Sequence, residues 1–104
     1  MARFDVFQHP EAAARRITPF LLDVQNEFIS GLDTRVVVPM RKAAQVKLRL
    51  RDLHPEFEVG GVRVVMDTPA LAAIPARELG PRVATLGEHR ADIVAALDCL
   101  FGAF

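Results

Sequence analysis

The residues that could carry out chemistry are few, and they are scattered along a chain of 104 residues. The histidines, His9, His54 and His89, lack the i, i+4 spacing with which a helix presents two metal ligands. Cys99 is the single cysteine, so no disulfide can form within the chain. We therefore expect surface histidines, no metal or cofactor, and a cysteine that is buried or lies in an interface.

The carboxylates form no pattern of paired acids, which general acid–base chemistry would require. Those considered are Asp23, Glu27, Asp33, Asp67 and Asp92. The Gly60-Gly61 pair is not a phosphate-binding loop, because no lysine accompanies it and no helix follows. The absence of a catalytic constellation favours a binding protein over an enzyme.

Basic side chains are concentrated in one segment, residues 41–51, which we call the basic strip. They are Arg41, Lys42, Lys47, Arg49 and Arg51. The strip either forms a solvated strand face or docks an acidic partner segment or a nucleic acid. No aromatic residue stands between these charges, so base stacking is not indicated, and an acidic peptide fits better than single-stranded RNA.

The composition is that of one globular domain over residues 1–104, with 51% hydrophobic and 25% charged residues. A chain this short leaves many apolar residues near the surface, and a dimer would cover them. The formal net charge is zero, which indicates no bulk attraction to DNA or to a membrane. Because neither a signal peptide nor a spanning helix is apparent, we expect a soluble cytoplasmic protein.

Hydrophobic periodicity predicts several strands that would position these side chains. Alternating or β-branched runs predict strands at residues 3–8, 20–25, 34–40 and 46–51, and a hairpin at 56–66 that turns at Gly60-Gly61. In the run VKLRLR, residues 46–51, the apolar side chains face one way and the basic ones the other. The proline-rich residues 67–85 are expected to form only short strands or turns.

A single helix is predicted at the C-terminal end. Thr85 and Glu88 fit a capping box, and apolar residues then recur at 3/4 spacing to Phe104. The spacing predicts a helix of about 17 residues and roughly 25 Å. Strands followed by one helix predict an α+β fold with an antiparallel sheet. The last residues, LDCLFGAF, are apolar, so we expect them to fold back onto the protein or to press against a partner.

Several stretches together resemble the CcdB toxin family. They are FLLDVQNEFI at residues 20–29, TRVVVPM at 34–40, Leu53-His54-Pro55, Ile74-Pro75, Gly80, and Asp92-Ile93 before the apolar helix. Their order and separations follow the family over nearly the whole chain.

The resemblance implies a homodimeric toxin of a type II toxin–antitoxin system. Its expected fold has an SH3-like core of antiparallel strands, a small extra sheet and a C-terminal helix. The best-known family members bind the A subunit of DNA gyrase and trap it on cleaved DNA, which is inhibition by binding and not catalysis. A CcdA-like antitoxin with a disordered tail neutralises them. The resemblance implies no sequence-specific DNA binding and no membrane partner.

The resemblance also assigns residues to two partner surfaces. Those expected to face gyrase are Asn26, Phe28, Ile29, Asp98, Phe101, Gly102, Ala103 and Phe104. Those expected to bind the antitoxin are His9, Arg15, Arg16, Arg41, Lys42, Lys47 and Arg49. The C-terminal tip departs from the family, because Gly102, Ala103 and Phe104 stand in place of its Trp-Gly-Ile and the chain has no tryptophan.

Two alternatives follow from this departure and from the basic strip. The protein could keep antitoxin binding but lose or alter gyrase poisoning. It could instead be a ribonuclease like the MazF toxins, which share this fold. That activity would need a pocket that combines Arg35 or another arginine with a proton-transfer group.

Overall fold

Residues 2–29 and 31–102, which this computed structural model describes, form seven strands and one α-helix. They are β1 (Asp5–Gln8), β2 (Phe20–Asp23), β3 (Thr34–Lys42), β4 (Glu56–Val59), β5 (Val62–Met66), β6 (Ala72–Pro75), β7 (Arg82–Thr85) and α1 (Arg90–Phe101). Single 3-10 turns lie in the connections, at Ala13–Arg16, Ala43–Gln45, Thr68–Ala70, Ala76–Glu78 and Gly87–His89. The predicted α+β class, with strands before a C-terminal helix, is confirmed.

The strands form one curled antiparallel sheet in the order β4-β5-β3-β2-β1-β7. The long strand β3 is its centre. One edge of β3 pairs with β2, and the other pairs with β6 through Thr34–Val37 and with β5 through Met40–Lys42. Strand β6 therefore forms a small branch beside β5, and the sheet closes around one side like half a barrel.

Pro39 lies inside β3, where a proline would normally interrupt the sheet because it lacks an N–H donor. It occupies the gap between the stretch of β3 that pairs with β6 and the stretch that pairs with β5. Its carbonyl accepts a hydrogen bond from Asp67 N at 3.0 Å on that edge. No neighbouring strand needs the missing donor there, so the proline is accommodated at the point where β3 changes partners.

The hydrophobic core lies between the concave face of the sheet and helix α1. Its fully buried members are Val6, Leu22, Val38, Met40, Val64, Met66, Ile93 and Ala96. Phe4 and Val6 share this core, as the alternation of residues 3–8 predicts. The predicted hairpin is also confirmed, because β4 and β5 are joined by Gly60 and Gly61 at φ 56° and 81°.

The strand predicted at residues 46–51 is wrong. Residues 46–50 lie outside every helix and strand, and Leu48 and Leu50 are 80% and 56% exposed. Alternation describes two faces, but a strand also needs a neighbour to pair with. The 3-10 turn Ala43–Gln45 carries the chain away from the end of β3, so these residues have the pattern of a strand and no ladder.

The predicted start of the helix is also wrong. Thr85 belongs to β7, where it pairs with Asp5, and its hydroxyl accepts a hydrogen bond from Gly87 N at 3.2 Å in the following turn. Helix α1 begins only at Arg90, without a side-chain cap, and has 12 residues. It ends at Phe101 because Gly102 adopts the left-handed conformation, with φ 71° and ψ 45°.

Candidate functional site

Three of the residues predicted to face gyrase lie in the loop between β2 and β3. Asn26 shapes this loop, because its side-chain oxygen accepts a hydrogen bond from Phe28 N at 2.9 Å. The Phe28 side chain is 89% exposed, and Ile29 and Leu32 are also exposed. The loop thus presents a large aromatic ring and two aliphatic side chains to solvent.

Further predicted residues lie at the C-terminal end of α1. Phe101 is 70% exposed, Asp98 is half-buried, and the Asp98 carbonyl accepts a hydrogen bond from Gly102 N at 2.9 Å. Gly102 is exposed, and its left-handed conformation ends the helix. The predicted residues Ala103 and Phe104 lie outside the described residues.

The residues predicted to bind the antitoxin near the N-terminus are held by local hydrogen bonds. His9 Nδ1 accepts from Glu11 N at 3.1 Å, and Arg15 Nε donates to the His9 carbonyl at 2.8 Å. Arg16 is exposed in the same 3-10 turn. The adjoining cations Arg15 and Arg16 therefore lie in a short connection whose residues are hydrogen-bonded back to His9.

The basic strip divides into paired and unpaired cations. Arg41 Nε donates to Asp67 Oδ2 at 2.7 Å, and Arg49 NH1 donates to Glu56 Oε1 at 3.0 Å. Among the described residues no ion pair is formed by the other members, Lys42, Lys47 and Arg51. Their charge is thus available to an acidic partner.

Glu56 sits between two arginines. Its carboxylate accepts from Arg63 NH2 at 2.6 Å and from Arg49 NH1 at 3.0 Å. The hydrogen bond from Arg63, followed by that from Arg49, holds the pKa of Glu56 below its ordinary value of 4.5. Through Glu56, Arg49 of the basic strip thus contacts β4 and lies near Arg63 of β5.

A buried ion pair that the sequence analysis missed supports the β2–β3 loop. Arg35 donates from Nε and NH2 to the two oxygens of Asp23 at 2.8 and 2.9 Å, and Asp23 is fully buried. Gln25 extends this network, because its backbone N donates to Asp23 Oδ1 and its side-chain oxygen accepts from Val36 N. The network closes the base of the loop that carries Phe28. The sequence did place these opposite charges in two successive predicted strands, which is the pattern that could have indicated an ion pair.

His54 is not a surface residue, contrary to prediction. Its side chain is only 11% exposed, Nε2 lies 3.3 Å from Asp67 Oδ1, and Nδ1 accepts from Leu50 N at 3.1 Å. It therefore connects the end of residues 46–50 to the Asp67–Arg41 pair. Cys99, predicted to be buried or in an interface, is exposed on α1 within the single chain.

Neither a metal centre nor a membrane segment is found in the part of the chain that the structure describes. Residues 2–29 and 31–102 contain no group of three or more His, Cys, Asp or Glu side chains placed to hold a metal ion. Within the same residues, no helix is both long and apolar enough to cross a membrane. What the structure offers instead is exposed apolar side chains on one loop and one helix end, and unpaired cations on a second segment.

Comparison with known proteins identifies the family. The family model described as CcdB protein matches residues 3–102, which is nearly the whole chain. Among curated proteins no match was found. The curled antiparallel sheet with a single C-terminal helix agrees with the α+β fold of that family. The chain therefore belongs to the CcdB protein family, whose members are toxins of toxin–antitoxin systems that act by binding and not by catalysis.

Proposed function

We propose that this protein is a homodimeric toxin that binds the A subunit of DNA gyrase and traps the gyrase–DNA cleavage complex. The observation that carries the proposal is the exposure of Phe28 and Phe101, at positions that the family resemblance assigns to the gyrase-facing surface. A CcdA-like antitoxin would neutralise the toxin. Both partners would be met in the cytoplasm, where gyrase acts.

The aromatic rings of Phe28 and Phe101 are both exposed to water. Burying a phenylalanine side chain is favourable by about 1.5–3 kcal/mol, so an exposed ring is an available source of binding energy. Aromatic anchors often dominate the energy of an interface. The buried Asp23–Arg35 pair holds the base of the Phe28 loop, which lowers the ordering cost when a partner binds.

The antitoxin would bind through charged groups, whereas gyrase would bind through apolar ones. An acidic, disordered tail needs complementary charge, because it loses conformational entropy when it becomes ordered on binding. Arg15, Arg16, Lys42 and Lys47 are outside every ion pair of the described residues and would supply that charge. His9, Arg41 and Arg49 would shape the same surface through their local hydrogen bonds.

A second candidate function keeps the antitoxin but lacks gyrase poisoning. The observation in its favour is Gly102, which occupies the position of the family's tryptophan and ends α1 in the left-handed conformation. Losing a buried tryptophan anchor would remove about 3 kcal/mol or more. The ribonuclease alternative is disfavoured in the form that uses Arg35, because its guanidinium is buried against Asp23 and is not free to act on RNA.

The decisive experiment is calorimetry of the purified protein with the breakage-reunion domain of gyrase A, from the source organism and from a laboratory strain. We expect binding to at least one, accompanied by gyrase-dependent DNA cleavage. Phe28→Ser should weaken binding at least tenfold, whereas Val83→Ser, which changes an exposed valine on β7, should not. Absence of binding to both domains would refute gyrase poisoning, and RNA cleavage would establish the ribonuclease.

A further inference from the structure

Residues 46–50 have the residue pattern of a strand, but the backbone of the central residues 47–49 is not paired with another strand of the described chain. Val46 is extended, at φ −103° and ψ 110°. Within the described chain no backbone–backbone hydrogen bond involves residues 47–49. The side chains of Leu48 and Leu50 are exposed, although their alternation with basic residues is typical of a half-buried strand.

Both ends of this segment are anchored. Before it, Val46 N donates to the Ala43 carbonyl at 3.2 Å. After it, Leu50 N donates to His54 Nδ1, and His54 in turn contacts Asp67. Because its ends are fixed while its middle offers free donors and acceptors, the segment resembles an edge strand that lacks its neighbour.

The charges on the segment determine which neighbour it accepts. Two copies paired through residues 46–50 would bring Lys47 and Arg49 against the same cations, and like charges across a strand pair are unfavourable. Basic side chains on an open edge therefore oppose self-pairing. Lys47, which has no ion-pair partner among the described residues, attracts an acidic segment most strongly, whereas the charge of Arg49 is already shared with Glu56.

We propose that residues 46–50 become a strand when an acidic peptide segment, unstructured before binding, pairs with them through backbone hydrogen bonds. The peptide would alternate acidic with apolar residues, so that acids oppose Lys47 and Arg49 while apolar side chains cover Leu48 and Leu50. This inference rests on the proposed function, because the antitoxin tail is taken as the source of the segment. It adds the mode of pairing and the residue pattern of that tail.

The test uses synthetic peptides, so it does not need the antitoxin itself. The probe is an eight-residue peptide alternating Glu and Val, and binding is measured by calorimetry. Two further probes carry N-methyl groups on either the odd-numbered or the even-numbered amides, which removes donors from one edge and keeps the charge. A fourth probe groups the glutamates at one end. We expect one methylated probe and the grouped probe each to bind at least tenfold more weakly than the alternating probe.

Two readouts locate the contact. When the alternating probe is bound, amide hydrogen exchange should slow at least tenfold at one alternate set of amides, either those of Lys47 and Arg49 or that of Leu48, because successive N–H groups point to opposite edges of a strand. Lys47→Glu should weaken binding at least tenfold, whereas Arg77→Glu, which reverses an exposed charge on the 3-10 turn Ala76–Glu78, should change it less than twofold.

Several outcomes would overturn the proposal. Equal affinity of the alternating and grouped probes, or of both methylated probes, would mean charge attraction without strand pairing. Absence of binding, or a dimer formed through residues 46–50, would exclude an acidic peptide as the occupant. Gyrase binding is measured on the same preparation, so this inference can fail while the proposed function stands, and the reverse is also observable.

Discussion

Asp23 is fully buried, and its two carboxylate oxygens accept hydrogen bonds from Arg35. Removing a charge from water carries a large desolvation cost, which only a well-placed partner offsets. The two-point contact meets this requirement, and the Gln25 backbone N adds a third hydrogen bond to the carboxylate. The pair therefore joins the end of β2 to the start of β3 below the Phe28 loop.

Removing the cation should be costly. We expect Arg35→Met to lower the free energy of unfolding by about 3–5 kcal/mol, because Asp23 would remain buried without a partner. Urea denaturation at pH 7 would measure the change. Arg63→Met is the matched control, since that arginine pairs on the surface with Glu56 and its loss should barely move the midpoint. Similar losses in both variants would contradict this account.

Glu56 should titrate below its ordinary pKa of 4.5, because Arg63 and then Arg49 donate hydrogen bonds to its charged form. A lowered folded-state pKa contributes stability above the unfolded value of the pKa, and this contribution is lost as the pH falls through the folded value. NMR titration of the Glu56 carboxyl carbon would measure the midpoint. Arg63→Gln should raise it, and an unchanged midpoint would count against the assigned cause.

For single residues, the sequence indicates which element holds each side chain but not which other side chain it contacts. It placed Asp23 and Arg35 in successive predicted strands, yet gave no register that would bring them together. His54 was misjudged for a related reason, because its burial depends on Asp67 and Leu50, and neither contact leaves a local pattern. The burial of a single polar residue depends on contacts with residues distant in sequence. The hydrophobic periodicity of a segment gives no information about such contacts.

Among the elements, those whose partner is close in sequence were predictable. The β4–β5 hairpin followed from alternation around Gly60-Gly61, and the structure pairs Val59 with Val62 there. Residues 46–51 show equally strict alternation, yet form no strand. The two segments differ in whether a pairing strand is adjacent. The two-residue turn at Gly60-Gly61 brings β5 beside β4, whereas the 3-10 turn Ala43–Gln45 brings no strand of the described chain beside residues 46–51.

The end of α1 provides a test at the same scale. Gly102→Ala should lower the free energy of unfolding by about 1 kcal/mol, since a side chain is disfavoured at φ 71°. Thermal or urea unfolding would measure it. Gly87→Ala is the control, because Gly87 lacks a positive φ and an added Cβ would meet only Thr85 Oγ1, at 3.5 Å. Equal costs at both positions would argue against a role for the left-handed conformation.

For the whole molecule, exposed apolar side chains predict self-association. The chain is short and leaves several apolar side chains exposed, Ile17 and Leu32 among them, and family resemblance implies a homodimer. Analytical ultracentrifugation at micromolar concentration should give twice the chain mass of 11.5 kDa. A monomer throughout that range would contradict the homodimer and weaken the proposed mode of gyrase binding.

Because the net charge of the protein is zero, the basic side chains of residues 46–50 should affect its solubility. Copies of a molecule with zero net charge do not repel one another over long distances. Resistance to aggregation must therefore come from charges close to the surface that would associate. Lys47 and Arg49 provide it at residues 46–50. Their repulsion reaches about 10 Å in 0.1 M salt but only about 3 Å in 1 M salt. Solubility should therefore fall as salt is raised, and a buffer chosen to suppress ionic contacts would promote precipitation.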